Sequence, residues 1–296
     1  MKMRHLTILI LLPFLASCLR LDDNLFNPEE KITAYGFDQY KGVRELPDLP
    51  DSISVDPNRQ QFFFLPSGPE KIACIYLGDS SEIPDKEVIL YCHGNKNHMD
   101  NYWNRAKLLY HTGGKGKRGV LMMDYRGYGL STGKPSEQGL YDDVAACINW
   151  LRSKGLKENN LIVYGYSLGS APATYWSQDP GLMPVKKLIL EAPYCSADQM
   201  VKDASKLQLP GSYFTNLNIN NGERIKQVKA PFLWIHGIND DFLDAESQGR
   251  TIYNNYPDLN KKRSILVPGA VHNDVPKVMG YREYLIQLND FLEWNP

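Results

Sequence analysis

The fold is decided by residues 161–169, which read Leu-Ile-Val-Tyr-Gly-Tyr-Ser-Leu-Gly. Four mostly apolar residues open this stretch, and a short continuous apolar run is typical of a strand that is buried on both faces. Gly165, Ser167 and Gly169 follow as Gly-x-Ser-x-Gly, and a helical pattern continues to Trp176. Small residues two before and two after a serine permit a sharp turn from strand to helix. The stretch therefore predicts a serine presented at the end of a buried strand.

Seven further strand-like runs lie on both sides of this stretch. A helical pattern follows Ser136, an N-cap residue type, and another covers residues 278–292. Because strands and helices alternate along the chain, the sequence predicts a single doubly wound α/β sheet. The seven runs are Phe62–Leu65, Ala73–Leu77, Val88–Cys92, Val120–Met123, Leu188–Leu190, Phe232–Ile235 and Ile265–Val267.

A serine hydroxyl is a poor nucleophile unless a base accepts its proton, and in this strand–turn–helix context the base is expected last in chain order. Only two histidines follow Ser167 in the sequence, His236 and His272. His272 lies in the loop after the last predicted strand, where a base can reach the turn. His236 ends a strand and is interpreted as bonded to backbone. We therefore predict His272 as the base.

The acid that orients the base is expected after the penultimate strand. Three carboxylates follow that strand, and they belong to Asp240, Asp241 and Asp244. Only one buried carboxylate is needed to stabilise an imidazolium, and a surface turn keeps the others for solubility. Asp240 is the predicted acid, with Asp241 and then Asp244 as the alternatives.

Two backbone N–H groups are needed to stabilise the oxyanion of an acyl-transfer intermediate. The residue after the nucleophile, Leu168, is expected to supply one of them. The loop after the strand Val88–Cys92 is expected to supply the other, and there Gly94 permits a tight turn before Asn95. The predicted donors are the amides of Leu168 and Asn95.

The first residues have the pattern of an export signal. Lys2 and Arg4 precede an apolar stretch that is too short to span a bilayer. The run ends in Leu-Ala-Ser-Cys, which resembles the lipobox of bacterial lipoproteins. We predict a signal peptide over residues 1–17, lipidation of Cys18, and a tether to residue 59. A plain signal peptide or a buried first helix are the alternatives.

Lipidation would make the chain an exported lipoprotein of the bacterial cell envelope, held at the membrane through its N-terminal lipid. A formal net charge of −1 argues against nucleic acid as a partner. No cysteine or histidine cluster has metal-ligand spacing, so neither a metal nor a cofactor is expected. The four remaining cysteines are expected to be buried free thiols, namely Cys74, Cys92, Cys147 and Cys195.

Four blocks of sequence together resemble the α/β-hydrolase superfamily. They include Asp-Tyr-Arg-Gly-Tyr-Gly-Leu-Ser at residues 124–131, which is similar to lidless serine hydrolases related to protein depalmitoylases and monoacylglycerol lipases. The other blocks are His-Gly-Asn at 93–95, the Ser167 turn with His-Gly-Ile-Asn-Asp at 236–240, and Gly-Ala-Val-His at 269–272.

The resemblance implies an eight-stranded, mostly parallel sheet in a domain over residues 60–296. It also implies acyl transfer through Ser167, with Asp240 as the acid and the Asn95 and Leu168 amides as the oxyanion hole. His93, Asp124 and Arg126 are given structural roles. The turn at residues 95–98, Asn-Lys-Asn-His, departs from the glycine-rich or hydrophobic turn that is common in the family.

Residues 193–229 are too few for a full lid domain, so a short insert is expected instead. Its apolar residues are predicted either to wall an acyl pocket or simply to pack. They are Tyr194, Leu207, Leu209, Tyr213, Phe214 and Leu217.

Three functions are compatible with these residues. The leading hypothesis is a lipid-anchored serine hydrolase that cleaves a carboxylic ester or thioester of small or medium acyl size. A serine peptidase using the same three residues is the first alternative, and it would need carboxylates near the pocket to hold an α-amine. The second alternative is a non-catalytic lipoprotein that uses the fold for binding.

Overall fold

A computed structural model describes residues 26–28, 31–178, 181, 183–205 and 215–296. It contains one eight-stranded sheet, and every strand predicted from the sequence is present. The strands are β1 (Gln60–Ser67), β2 (Glu70–Leu77), β3 (Val88–Cys92), β4 (Gly119–Met123), β5 (Leu161–Tyr166), β6 (Val185–Glu191), β7 (Phe232–Gly237) and β8 (Lys262–Val267).

The strand order across the sheet is β1-β2-β4-β3-β5-β6-β7-β8. β2 pairs antiparallel with β1 and with β4, and the neighbours from β4 to β8 pair in parallel. The predicted fold class, a mostly parallel doubly wound α/β sheet, is confirmed.

Helices connect the strands and cover the sheet. Ser136 accepts a hydrogen bond from the Gly139 amide at 3.0 Å, so the predicted N-cap is confirmed. The described part of the chain contains α1 (Met99–Tyr110), α2 (Glu137–Ser153), α3 (Ser170–Gln178), α4 (Ala197–Ser205), α5 (Asn221–Arg224), α6 (Thr251–Asn255, after a π-helical turn at Ala245–Arg250), α7 (Val275–Met279) and α8 (Tyr281–Glu293).

The last helical pattern differs from the sequence expectation. The apolar spacing over residues 278–292 predicts one helix, but the structure has two, α7 and α8. Gly280 stands between them with φ of +89°, a conformation that glycine adopts readily and that an α-helix cannot contain. The helix that covers the sheet therefore starts at Tyr281.

Both faces of the sheet are buried, which explains the continuous apolar strands. Side chains such as Leu90 point to one face, where they pack with α2, α3 and α6. Their neighbours, such as Ile89 and Tyr91, point to the other face and pack with α1, α7 and α8. In the described ranges, no helix is both long enough and apolar enough to cross a bilayer.

The segment ahead of β1 is part of the folded unit. The sequence assigns residues 18–59 to a tether, but residues 31–59 pack on the α1 face, where Leu46 and Val55 are buried. The carboxylate of Asp100 accepts hydrogen bonds from the backbone amides of residues 36 and 37. The apolar residues of this segment are few and follow neither helical nor strand periodicity, so the sequence pattern did not predict this packing. The predicted signal peptide and Cys18 lie outside the described residues.

Candidate active site

Ser167 lies at the turn between β5 and α3, as the sequence predicts. Its φ is +51°, in the left-handed region that non-glycine residues rarely adopt. The turn is a single 3₁₀ turn, Ser167–Gly169, and α3 begins at the next residue. Backbone strain of this kind persists only where the surrounding structure enforces it, and it is concentrated at functional sites.

The two glycines of the motif are required by close backbone contacts. A Cβ atom on Gly169 would lie 2.0 Å from the carbonyl oxygen of Cys92, at the end of β3. A Cβ atom on Gly165 would lie 2.6 Å from the carbonyl oxygen of Gly169. The turn is therefore wedged against the end of β3, and this contact fixes where the serine side chain points.

The structure brings Ser167, His272 and Asp240 together in one hydrogen-bonded chain. Ser167 Oγ donates to His272 Nε2 at 3.0 Å, and His272 Nδ1 donates to Asp240 Oδ2 at 2.8 Å. The three residues follow β5, β8 and β7, whose carboxyl ends meet at one edge of the sheet. A base within hydrogen-bond distance of both a hydroxyl and a carboxylate has the geometry of nucleophilic catalysis.

Asp240 is held as a carboxylate by four donors. Its Oδ1 accepts the backbone amides of Phe242 and Leu243 at 3.0 and 2.8 Å, and its Oδ2 faces His236 as well as His272. Burial by itself raises the pKa of Asp240, but the hydrogen bonds from His236 and His272 outweigh burial and hold the pKa well below its ordinary value. The group therefore stays ionised at neutral pH.

The two alternative acids lie elsewhere. Asp241 is exposed, at the rim of the cavity described below. Asp244 caps the following helical turn by accepting the Ser247 amide at 2.8 Å. The structure thus pairs His272 with Asp240 among the three candidates.

His236 contacts the candidate acid, which the sequence analysis did not anticipate. Trp234 Nε1 donates to His236 Nδ1 at 3.0 Å, and since an indole only donates, Nδ1 accepts and the ring proton is on Nε2. That Nε2 lies 3.1 Å from Asp240 Oδ2 and 2.9 Å from the carbonyl oxygen of Leu243. The expected backbone bond is present, and a second contact fixes the carboxylate. The sequence did carry a signal for this contact: Trp234 and His236 alternate onto one face of a strand, and Asp240 follows four residues after His236.

A cavity of about 300 Å³ opens beside Ser167. Asn95, one of the predicted oxyanion donors, lines it, and Leu168 directly follows the serine. The Asn95 side chain is held in place because its Oδ1 accepts the Tyr128 hydroxyl at 2.8 Å and the Asn27 amide at 3.0 Å. The cavity is lined by Glu45, Gly94, Asn95, Lys96, Tyr102, Tyr166, Ser167, Asp241, Phe242, Val271, His272 and Asn273.

Two of the predicted acyl-pocket residues of the insert, Tyr194 and Leu217, lie in the described ranges, and neither is among the residues that line the cavity. Tyr194 is buried in the α2 face of the core and Leu217 packs against the same cluster. Both therefore match the packing alternative. The other four residues lie outside the described ranges.

The residues given structural roles, His93, Asp124 and Arg126, take part in ion pairs with a buried carboxylate. His93 Nε2 lies 3.1 Å from Asp124 Oδ1, and Tyr35 donates to Asp124 Oδ2 at 2.6 Å. Arg126 pairs with the buried Asp143 at 2.8 Å. The contacts of Asp124 tie the loops after β3 and β4 to the segment ahead of β1, and the Arg126–Asp143 pair ties the loop after β4 to α2.

The four cysteines of the described chain are buried and unbridged. The sulfur atoms of Cys74 and Cys147 lie 3.9 Å apart, and burial raises the pKa of the Cys74 thiol. Across the described ranges, no group of three or more histidine, cysteine, aspartate or glutamate side chains is placed to hold a metal ion.

Comparison with known proteins agrees with this fold. The sequence profile of a family described as serine aminopeptidase, S33, matches residues 83–226. The α/β-hydrolase domain-containing protein aho-3 of Caenorhabditis elegans is 32% identical over 225 residues, which are 75% of this chain and 62% of that protein. The human α/β-hydrolase domain-containing protein 17B is 28% identical over 75% of this chain and 71% of its own length. The chain thus spans less than two thirds of the C. elegans relative.

A solved structure shares the architecture. The esterase Pf2001 of Pyrococcus furiosus superimposes with a TM-score of 0.66 at 18% identity, covering 91% of this chain and 97% of the esterase. The chain therefore has the fold of this esterase, and its sequence is similar to those of α/β-hydrolase domain-containing proteins.

Proposed function

We propose that this protein is a lipid-anchored serine hydrolase that cleaves carboxylic esters or thioesters through an acyl-enzyme on Ser167. The observation that carries the proposal is the hydrogen-bonded chain from Ser167 through His272 to Asp240 at the wall of a cavity. Three groups in this order serve as nucleophile, general base and orienting carboxylate in acyl transfer.

In the first half of the reaction, Ser167 Oγ attacks the carbonyl carbon of the substrate while His272 Nε2 takes the hydroxyl proton. The negative charge that forms on the carbonyl oxygen is stabilised by the amides of Leu168 and Asn95. Asp240 stabilises the imidazolium without taking its proton. As the intermediate collapses, His272 gives the proton to the leaving alcohol or thiol, and the acyl group stays on Ser167.

In the second half, His272 removes a proton from water, which attacks the acyl-enzyme and releases the acid. Ser167 regains its proton from His272. None of these steps needs a metal or a cofactor. The substrate is a small molecule or an acylated molecule whose ester or thioester fits the cavity.

The cavity favours acyl groups of small or medium size. Its volume of about 300 Å³ lies at the lower end of the range of ligand pockets, roughly 300–1,000 Å³. Phe242 stands at the cavity with 56% of its surface exposed and contacts the His272 ring edge-on at 5.0 Å between centroids. An apolar side chain at this position suits the apolar part of an acyl substrate.

A peptidase is the second candidate. The structure places two carboxylates at the cavity, those of Glu45 and Asp241, and the matching profile is described as a serine aminopeptidase. Glu45 is already paired with Arg105 at 2.5 Å, and Asp241 is solvated at the rim. Since neither is a spare buried carboxylate for an α-amine, the ester function is favoured.

A substrate series separates these functions. We expect the full chain in detergent to cleave p-nitrophenyl esters fastest at short or medium acyl length, with kcat/KM falling at least about tenfold toward palmitate because long chains exceed the cavity. L-aminoacyl p-nitroanilides should be cleaved more slowly. A higher kcat/KM on the anilides would instead identify a peptidase. Inactivity on both series, without fluorophosphonate labelling, would identify a binding protein.

The lipid anchor is proposed from the sequence pattern around Cys18. We expect radiolabelled fatty acid to be incorporated into the full chain in a bacterial host, and to be lost in Cys18→Ala, because a lipobox thiol is the attachment point. The wild-type protein should pellet with membranes. Ser17→Ala, which keeps a small residue before the cysteine, serves as the matched control and should retain the label. Equal labelling of wild type and Cys18→Ala would contradict the anchor.

A further inference from the structure

A guanidinium group lies buried directly behind the loop that carries His272. Arg105, in the middle of α1, is only 3% exposed. Its Nη2 donates to the backbone carbonyl oxygen of Asn273 at 2.9 Å, one residue beyond the candidate base. The loop lacks regular structure, so this bond is one of the contacts that fix its path.

Two carboxylates hold the guanidinium in this position. Arg105 Nε donates to Glu45 Oε2 at 2.5 Å, and Nη1 donates to Glu191 Oε1 at 2.7 Å. Glu191 ends β6 and is fully buried, and its other oxygen accepts the hydroxyls of Tyr164 and Tyr284. The planar fork of Arg105 thus bridges the segment ahead of β1, the sheet and the His272 loop.

Tyr166, the residue before the nucleophile, connects the same group to the base itself. The Arg105 guanidinium stacks over the Tyr166 ring at 4.1 Å, and the Tyr166 and His272 rings lie 5.5 Å apart. The Tyr166 hydroxyl lies 3.2 Å from Glu45 Oε1 and 3.3 Å from the carbonyl oxygen of His272. Both carbonyl groups of the His272–Asn273 pair therefore face this cluster.

Stability alone does not explain such a cluster. Desolvating buried charges is so unfavourable that replacing buried ion pairs by well-packed apolar residues is often neutral or stabilising in proteins. The charged groups instead fix geometry, because a planar guanidinium that donates to three fixed acceptors holds those acceptors in one relative arrangement. A catalytic base must be held within about 0.5 Å of its productive position.

We propose that Arg105, held by Glu45 and Glu191, is a positioning residue that fixes the His272 loop so that the imidazole reaches Ser167. The inference rests on the proposed function, in which His272 is the base. It also assigns a role in the active site to the segment ahead of β1, through Glu45.

The test compares Arg105→Lys with wild type in the full chain. Lysine keeps the charge but presents a point charge in place of the fork, so it cannot hold all three acceptors. We expect kcat on a p-nitrophenyl ester to fall about 10–100-fold, with KM within about threefold, because a base displaced by about 1 Å loses up to that factor. Fluorophosphonate labelling of Ser167 should slow by the same ratio.

Arg118→Lys is the matched control. Arg118 is equally buried and lies between Glu87 and Glu293. It directly precedes β4, at the amino ends of the parallel strands, whereas His272 lies at their carboxyl ends. We expect it to lower the melting temperature as Arg105→Lys does while kcat stays within about twofold. A folded Arg105→Lys with wild-type kcat, or an equal loss of kcat in Arg118→Lys, would overturn the inference.

Should Arg105→Lys not fold, Glu45→Gln answers the question, since it leaves the Arg105–Glu191 pair intact. It should lower kcat about 3–10-fold at unchanged KM, and an unchanged kcat overturns the inference. Fluorophosphonate labelling of the wild type distinguishes failure of the proposed hydrolase function from failure of the positioning role of Arg105. If wild-type Ser167 does not react, the proposed function fails and this inference with it. If it reacts normally and the variants do too, this inference alone fails.

Discussion

Replacing Ser167 by alanine is expected to lower kcat on a p-nitrophenyl ester by about 10⁴–10⁶-fold, the range seen when the nucleophile of a serine hydrolase is removed. In the proposed mechanism Ser167 is the nucleophile and its side chain bonds to His272 Nε2 at 3.0 Å, whereas alanine has no atom that can attack a carbonyl carbon. In the proposed mechanism the oxyanion donors and substrate binding remain in the variant, so a residual rate is expected and KM should change little.

The fold should tolerate this change. Alanine meets the same steric limit at a φ of +51° as serine does, so the free energy of unfolding should stay within about 1 kcal/mol of wild type. Ser177→Ala is the matched control, because that buried serine on α3 donates to the Ala173 carbonyl oxygen and is not among the described residues that line the cavity. Fluorophosphonate should label wild type and Ser177→Ala but not Ser167→Ala. Labelling of Ser167→Ala to the same extent would place the nucleophile elsewhere.

The sheet was predictable because buried parallel strands carry a local signal. A strand covered on both faces must be apolar at every position, so short runs such as Val88–Cys92 mark it without knowledge of its neighbours. The turn at Ser167 is local too, since Gly165 and Gly169 are required by contacts within a few residues of each other and with β3. The positions of Ser167, Asp240 and His272 then follow from where the strands end.

The residues around these three were not predictable in the same way. Arg105 meets Glu45, Glu191 and the His272 loop only because four distant segments converge, and no single segment encodes that meeting. The packing of residues 31–59 was missed because their buried side chains have no period. The break at Gly280 could have been read from the glycine, but the apolar spacing across it outweighed that signal.

The second large effect is expected on replacing Asp240, the proposed acid. Asp240→Asn is expected to lower kcat about 10⁴-fold at neutral pH, because an amide can present its N–H₂ to His272 Nδ1 and thereby favour the tautomer with its proton on Nε2. An imidazole in that tautomer donates to Ser167 and cannot accept its proton. Asp244→Asn is the matched control, since asparagine caps a helix about as well as aspartate, and it should keep wild-type kcat. If Asp241→Asn were the inactive variant instead, the acid would be the exposed neighbour.

The same variant has a signature in the pH dependence of stability. The pKa of Asp240 is held below its ordinary value in the folded chain by His236 and His272, against the effect of burial, so its ionised form stabilises the fold above the unfolded pKa, about 3.9. That contribution is lost as the pH falls through the lower folded pKa. The wild type should therefore be more stable than Asp240→Asn at pH 7, and urea denaturation should show the difference shrinking progressively below about pH 4. A difference that stays constant down to pH 3 would mean that the Asp240 carboxylate is not stabilised by the two histidines, and it would remove the electrostatic basis for its role beside His272.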